Sequence, residues 1–491
     1  MADGLPLLGD GSDISSSAER RLGDRIVREL YRDPDYIDDP VLGDYVQGIW
    51  QPLLDAARRS GYLSDELEQR FAWQVLLGRD RSVNAFALPG GYLGVNLGLL
   101  AVVSNRDELA SVLGHELSHV TQRHISRLMS NNSRQTPWVI GAMILGALAA
   151  SKSPDAGNAL IVGGQALSAQ SQLNFSRDME READRLGFGV MTQAGFAPAG
   201  FVTMFDKLQQ AARHNDIGAY PYLRSHPLTT ERIADMHLRL PLGSSQGAAP
   251  SGPALPTAVH AMLVARAKVL ANPGVDALRH WQAQPDDPAL LTQPLPLQAG
   301  ALYAACLASS RLRDAALAQR LQQRLQTLLA ADAPAQQQAR WLGMEVALAA
   351  HDPARAQALV AATPSQLTTP LARPALLLQA QIALQAADAT ALAQSAQDLQ
   401  QRVAQEPRDA LAWQWLSSVY AAQNQPLRVL RAQAEVRVAQ LDYAGALDRL
   451  RAAQEYTAAA GEASISHIDR SIIDTRRRQV EALFKEQALD H

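Results

Sequence analysis

His115 and His119 stand four residues apart, so on an α-helix they lie one turn apart on the same face. Two neutral imidazoles presented in that way can hold one zinc ion. Glu116 follows the first histidine, and its carboxylate is placed to take a proton from a water activated by the metal. The helix that must carry the three residues has a start signal upstream: Asn105 reads as its N-cap and Glu108 as the acid at the third position. Leu109, Val112, Leu113, Leu117 and Val120 then recur at helical spacing. That stripe leaves the histidine pair at its edge, facing a cleft. A solvated helix can carry the same pair by chance, and it is the intervening acid and the apolar surround that favour a metal.

Catalytic zinc needs a third protein ligand and one open position. The stretch from Ser176 to Gly187 offers the ligand. Glu180 and Asp184 are again four apart and share a helical face. The natural division puts Glu180 on the metal and Asp184 behind a histidine, holding the ring by its free N–H. Alone, the stretch would read as a charged surface helix, with Arg177, Arg181 and Arg185 paired to these acids. Glu182 is the competing ligand, but it lies about 200 degrees around the helix from Glu180 and off the Asp184 face. Further on, His226 precedes Pro227, which biases it toward extended backbone on a loop. From there its imidazole can reach the open position as a fourth ligand, a latch that excludes water, or turn to the oxyanion when free. Thr229 or Thr230 caps the helix that carries Arg232, the other candidate for the oxyanion.

His-Glu-x-x-His, then Glu-x-x-Ala-Asp, then Ser-His-Pro-x-x-x-x-Arg-Ile resembles the gluzincin zinc metallopeptidases of the Ste24/HtpX/Oma1 type. The motifs extend over about 20–240, and the likeness of the C-terminal half is architectural. That helical half narrows the resemblance to periplasmic members with tetratricopeptide repeats that act in outer-membrane β-barrel assembly. The resemblance implies one Zn2+ held by His115, His119 and Glu180, with Glu116 as general base. It makes Asp184 the carboxylate behind a ligand, and His226 and Arg232 the late histidine and arginine. It implies misassembled outer-membrane β-barrel proteins as substrates and the barrel-assembly machinery as partner of the repeats.

At 491 residues the chain should hold at least two domains. A net charge of −4 with no basic stripe gives no reason to expect nucleic acid. Cys306 is the only cysteine, so no intrachain disulfide can form, and it reads as a small core residue. The first residues have neither a basic region nor an apolar one, which taken literally argues for the cytoplasm. The resemblance argues instead for export, with the signal removed and Met1 added for expression.

The expected fold is mainly α: a zincin-type α+β metallopeptidase domain with a small sheet at 18–240, a linker at 241–256, and an all-α tetratricopeptide-type solenoid at 257–491. Residues 1–17 read as a flexible polar segment. Helices are expected at about 18–32 and 39–60, and strands at 71–77, 83–88 and 92–95, with a turn at Pro89-Gly90-Gly91. An edge of this sheet can take an extended substrate as an added strand. The active-site helix is expected to run from 105 to about 128, with His124 on it but pointing away from His115. The apolar run 137–150 is too short to span a bilayer, which takes about 20 residues. It reads as a buried hairpin or, over 138–168, as a surface touching the membrane or an unfolded barrel protein. Ligand and following helices are expected at 179–195 and 198–213. In the last half, helix pairs break at prolines 273, 285, 353, 407 and 426. The best repeat runs from Pro407 to Tyr456, with Trp413, Leu416 and Tyr420 at the large positions and Ala446, Leu450 and Ala453 following. A last helix at 464–485 carries Arg476-Arg477-Arg478 on a solvated face.

The function these readings favour is a zinc endopeptidase acting in β-barrel assembly and quality control. The alternative is a chaperone or scaffold in which the repeats bind clients and proteolysis is minor. A general secreted peptidase is a third reading, which the helical half makes less apt.

Overall fold

The structure is a computed structural model that describes residues 14–131, 176–213, 219–240, 256–362, 372–459 and 467–488. The first thirteen residues, the apolar run at 137–150 with the surface expected over 138–168, and most of the linker at 241–256 lie outside the described residues. The chain forms two compact units: Met1–Ile37 with Tyr45–Pro256, and Asp38–Asp44 with Thr257–His491. The segment Asp38–Asp44, expected inside the first domain, thus groups with the second unit.

In the first unit, α1 (Ser16–Leu30) starts where Ser15 accepts the Ala18 N–H, and it buries Leu22, Ile26 and Val27. Helix α2 (Pro40–Arg59), which belongs to this unit from Tyr45 on, buries Ile49, Trp50 and Leu53, and α3 (Asp65–Arg70) follows. Four strands make one mixed sheet in the order β1-β2-β4-β3: β1 (Tyr36–Ile37), β2 (Gln74–Gly78), β3 (Ala85–Leu88) and β4 (Tyr92–Asn96). Strands β2 and β4 run parallel, in register from Gln74↔Tyr92 to Gly78↔Asn96. Strands β3 and β4 form a hairpin through Gly90 and Gly91, whose φ angles of +75° and +83° are ones that side-chain-bearing residues rarely adopt. Strand β2 starts later than its apolar run: Phe71 still donates its N–H to Leu67 of α3, and Trp73 is left-handed at φ 51°.

After α4 (Leu97–Val102) comes α5 (Arg106–Thr121), capped as expected by Asn105, whose side chain accepts the Glu108 N–H at 2.9 Å. The helix does not run on to 128. It breaks at Gln122-Arg123, where Arg123 takes φ 52°, and α6 (His124–Asn131) sets off anew. Arg123 is held by Glu19 of α1 at 3.0 Å, so the break is anchored across the core. Helix α7 (Arg177–Gln193) starts at a Ser176 cap, followed by α8 (Ala199–Arg213), the single turn α9 (Tyr222–Ser225) and α10 (Thr230–Arg239), capped by Thr229.

The second unit is helical among its described residues. Asp352, Asp409 and Asp332 each cap a helix start, and the prolines fall at or just before helix starts. Its cores pack Tyr303, Cys306 and Leu342 in one cluster, Leu377, Leu399, Leu416 and Tyr420 in a second, and Ala446, Leu450, Ala453 and Val480 in a third. Within this unit Arg266 lies 2.7 Å from Asp39, 2.9 Å from Glu345 and 3.1 Å from the Tyr303 hydroxyl. In the last helix, His467–Ala488, Arg476 is not merely solvated: it pairs with the buried Glu435 at 2.7 Å. Among the described residues no helix is long and apolar enough to cross a membrane.

Candidate metal centre

Helices α5 and α7 cross so closely that Gly114 faces Gly187, and this brings the histidine pair of one over the acids of the other. His115, His119, Glu180 and His226 each turn one ligand atom to a common point, all four atoms lying within 4.8 Å of one another. The four side chains are buried. His119 Nε2 is 2.9 Å from His115 Nε2, and His115 Nε2 is 3.3 Å from His226 Nδ1. Imidazole lone pairs that close repel unless a proton or a cation lies between them. Three imidazoles and a carboxylate are donors that suit a borderline cation such as zinc, so the residues present fit a metal.

The two carboxylates of α7 take different places. Glu180 reaches the cluster itself, with Oε1 2.9 Å from His226 Nδ1 and 3.5 Å from His119 Nε2. Asp184 Oδ1 lies 2.9 Å from His115 Nδ1, the nitrogen turned away from the common point, as a close contact of poor hydrogen-bond angle. Arg232 grips both acids. Its Nε and Nη2 donate to Asp184 at 2.6 and 2.8 Å, and its Nη1 lies 2.7 Å from Glu180 Oε2 and 2.8 Å from the Pro227 carbonyl. The guanidinium therefore faces Glu180 of the cluster and Asp184 behind His115. Burial by itself would raise both carboxyls, yet the histidines hold Glu180 well below the usual range, and Arg232 with His115 holds Asp184 down. Without a metal, burial works to lower His115, but Asp184 and Glu180 outweigh it and push the ring up to about 10. Burial and the neighbouring His115 charge drive His119 well below its ordinary value. The metal-free cluster thus keeps a proton on one ring where a cation would sit.

Glu116 is fully buried and does not join the ligand set. Its Oε2 accepts the Ala87 N–H of edge strand β3 at 3.0 Å, and its Oε1 lies 3.3 Å from His226 Nε2. Burial pushes this carboxyl up, with His226 and His115 pulling it back. His226 closes the short turn α9, donating its backbone N–H to Tyr222 at 2.9 Å, and its ring stacks on the Tyr222 ring at 4.6 Å. Val83 and Ala219 join this segment to the approach of β3, Val83 donating its N–H to Ala219 at 2.8 Å.

Three parts of the centre had no distinct sequence signal: the Ala87 amide on Glu116, the Tyr222 ring under His226, and His124. His124 is fully buried and lies 2.9 Å from His119, because the break at Arg123 turns it back under that ring. Glycines within both ligand helices were legible marks of a close crossing, though not of their partnership.

Residues 51–239, which include every residue of the cluster, match Peptidase family M48. The β-barrel assembly-enhancing protease of Escherichia coli is 34% identical over 244 residues, 48% of this chain and 47% of that protein. A Vibrio cholerae relative is 35% identical over 277 residues, 56% of this chain and 53% of its own length. The mitochondrial metalloendopeptidase OMA1 of Saccharomyces cerevisiae is 27% identical over 201 residues, 40% of this chain and 55% of that protein. The match thus takes in about half the length of the curated bacterial relatives.

Proposed function

We propose that the chain is a zinc-dependent endopeptidase that works in outer-membrane β-barrel assembly and quality control in the periplasm, degrading misassembled clients. The observation that carries this reading is the buried meeting of His115, His119 and Glu180 beside the unligated carboxylate of Glu116. When bound, zinc supplies Lewis acidity that polarises a scissile carbonyl and acidifies water. Glu116 takes the water's proton and later delivers it to the leaving amine, a task suited to a carboxyl whose proton affinity is raised by burial. The Ala87 amide holds that carboxylate beside the edge strand β3, where an extended peptide can add as a further strand. Asp184 and Arg232 hold His115 and Glu180 in place.

His226 is the latch in this reading. Its Nδ1 faces the ligand cluster and its Nε2 faces Glu116, so one ring fills the fourth position and engages the base together. Released, it turns to the oxyanion. The relatives' name supports the choice of clients. Residues 257–491, read as tetratricopeptide repeats beyond a linker at 241–256, would recruit the barrel-assembly machinery, and 138–168 would supply any peripheral membrane contact. Glu116→Gln tests the core of this. It should keep metal and fold while cutting proteolysis of an unfolded substrate by about 10²–10⁴. Near-wild-type turnover sinks the mechanism, and full complementation by the inactive variant in cells moves the function to the scaffold reading.

A further inference from the structure

The ring of His119 has a second side that the proposed reaction does not use. Its Nδ1 lies 2.9 Å from Nδ1 of His124, the Nε2 of His124 lies 3.1 Å from Glu182 Oε2, and Arg127 Nη1 lies 3.0 Å from that same oxygen. The two rings meet nearly edge to face, with centroids 4.9 Å apart. On an unbroken helix His124 would point elsewhere. The left-handed Arg123, tied to Glu19, restarts the chain so that His124 folds back beneath the ligand.

We infer that His124 and Glu182 are positioning residues for His119, fixing its tautomer and its aim at the metal. This rests on the reading of His119 as a ligand through Nε2, the nitrogen that faces the cluster. An imidazole that gives its Nε2 lone pair to a cation keeps its proton on Nδ1. That N–H donates to His124 Nδ1, which must therefore be the bare nitrogen of its ring. The proton of His124 is then on Nε2, and it donates to the Glu182 carboxylate. Every donor meets an acceptor in this one arrangement. The opposite tautomer of His124 would set two N–H groups against each other at 2.9 Å and a lone pair against a carboxylate.

Behind each of the two ligand rings thus lies an acid of α7. His115 leans on Asp184, backed by Arg232; His119 leans on His124 and Glu182, backed by Arg127. The acids at 180, 182 and 184 then have separate parts: one on the cluster and one behind each ring. Glu182 is a poor candidate for a ligand but the terminus of a relay.

The test is metal retention by the full chain, read by competition with a chromophoric chelator, and the visible spectrum of the cobalt-loaded protein. His124→Leu should bind metal about 10–100-fold more weakly and alter the cobalt bands. His124→Asn, which returns an oxygen acceptor near the Nδ1 position, should recover most of that loss. Glu182→Ala should weaken binding in the wild-type background and have no further effect in His124→Asn. Wild-type affinity in His124→Leu, or equal losses in the Leu and Asn variants, overturns the inference, the second pointing to packing alone. If His124→Leu fails to fold, the half-buried Glu182 decides: unchanged affinity and spectrum in Glu182→Ala overturn it. A wild-type protein that binds no metal would instead overturn the metal reading itself.

Discussion

Gly114 of α5 and Gly187 of α7 meet backbone to backbone: a Cβ on Gly187 would stand 2.9 Å from the Gly114 carbonyl carbon and 2.9 Å from the His115 amide nitrogen. The neighbours on either side are chemical residues, His115 on one helix and Asp184 with Glu180 on the other. The closeness of the crossing therefore sets the distance between the ligand rings and their acids.

Gly187→Ala should force the helices apart, since the obstructing atoms are backbone and cannot swing away. Overpacking of this kind costs about 1–3 kcal/mol, so thermal unfolding should fall accordingly. Metal affinity should fall with it. Unchanged affinity in a folded variant would show that the crossing does not set the ligand geometry.

Metal uptake should release a proton. His115 in the metal-free cluster is pushed up to about 10, so at neutral pH it is charged and must lose its proton to bind. Affinity should therefore rise about tenfold for each pH unit through the neutral range. The metal-free fold should respond with the opposite sign. A raised histidine pKa lends stability that is complete below 6.5 and fades as pH rises toward about 10. Chelator competition and thermal unfolding across that range check both signs, and a flat affinity profile removes the proton from the cluster.

His226→Ala should retain metal through the three remaining ligands and cleave unfolded substrates faster and less selectively. The ring faces the ligand cluster and Glu116 at once, so its loss frees both. Turnover on an unfolded and a folded substrate, with metal content alongside, measures this. Slower cleavage by a metal-replete variant would end the latch and leave oxyanion support as the part His226 plays.

Arg266→Met should destabilise the second unit by about 3 kcal/mol, the low end for breaking a buried pair, because Glu345 keeps some solvent. The variant leaves Asp39 buried without its cation. Thermal unfolding of the full chain reads the loss, and an unchanged transition would mean that water replaces the guanidinium at little cost.

Much of the site was legible because it is written in local spacing. His115 with His119, and Glu180 with Asp184, share faces by helical geometry alone. Asn105, Ser176 and Thr229 announce helix starts through oxygens that satisfy free amides, and the structure keeps all three caps. Two local expectations failed for local reasons. The active-site helix stops at Arg123, and β2 waits until after Trp73, because each of these residues takes a left-handed conformation that propensity does not foresee.

The sequence by itself determined which side chains could ligate, which acid could act as base, and which helices would carry them. The tertiary structure decided how those helices meet, and so everything that depends on distance between separate segments. Arg232 turns to the acids, the Ala87 amide reaches Glu116, His226 faces the cluster, and His124 returns beneath His119. A four-residue period fixes neighbours along one helix face. The approach of one helix to another depends on which surfaces can pack, and here on two glycines that let backbones touch.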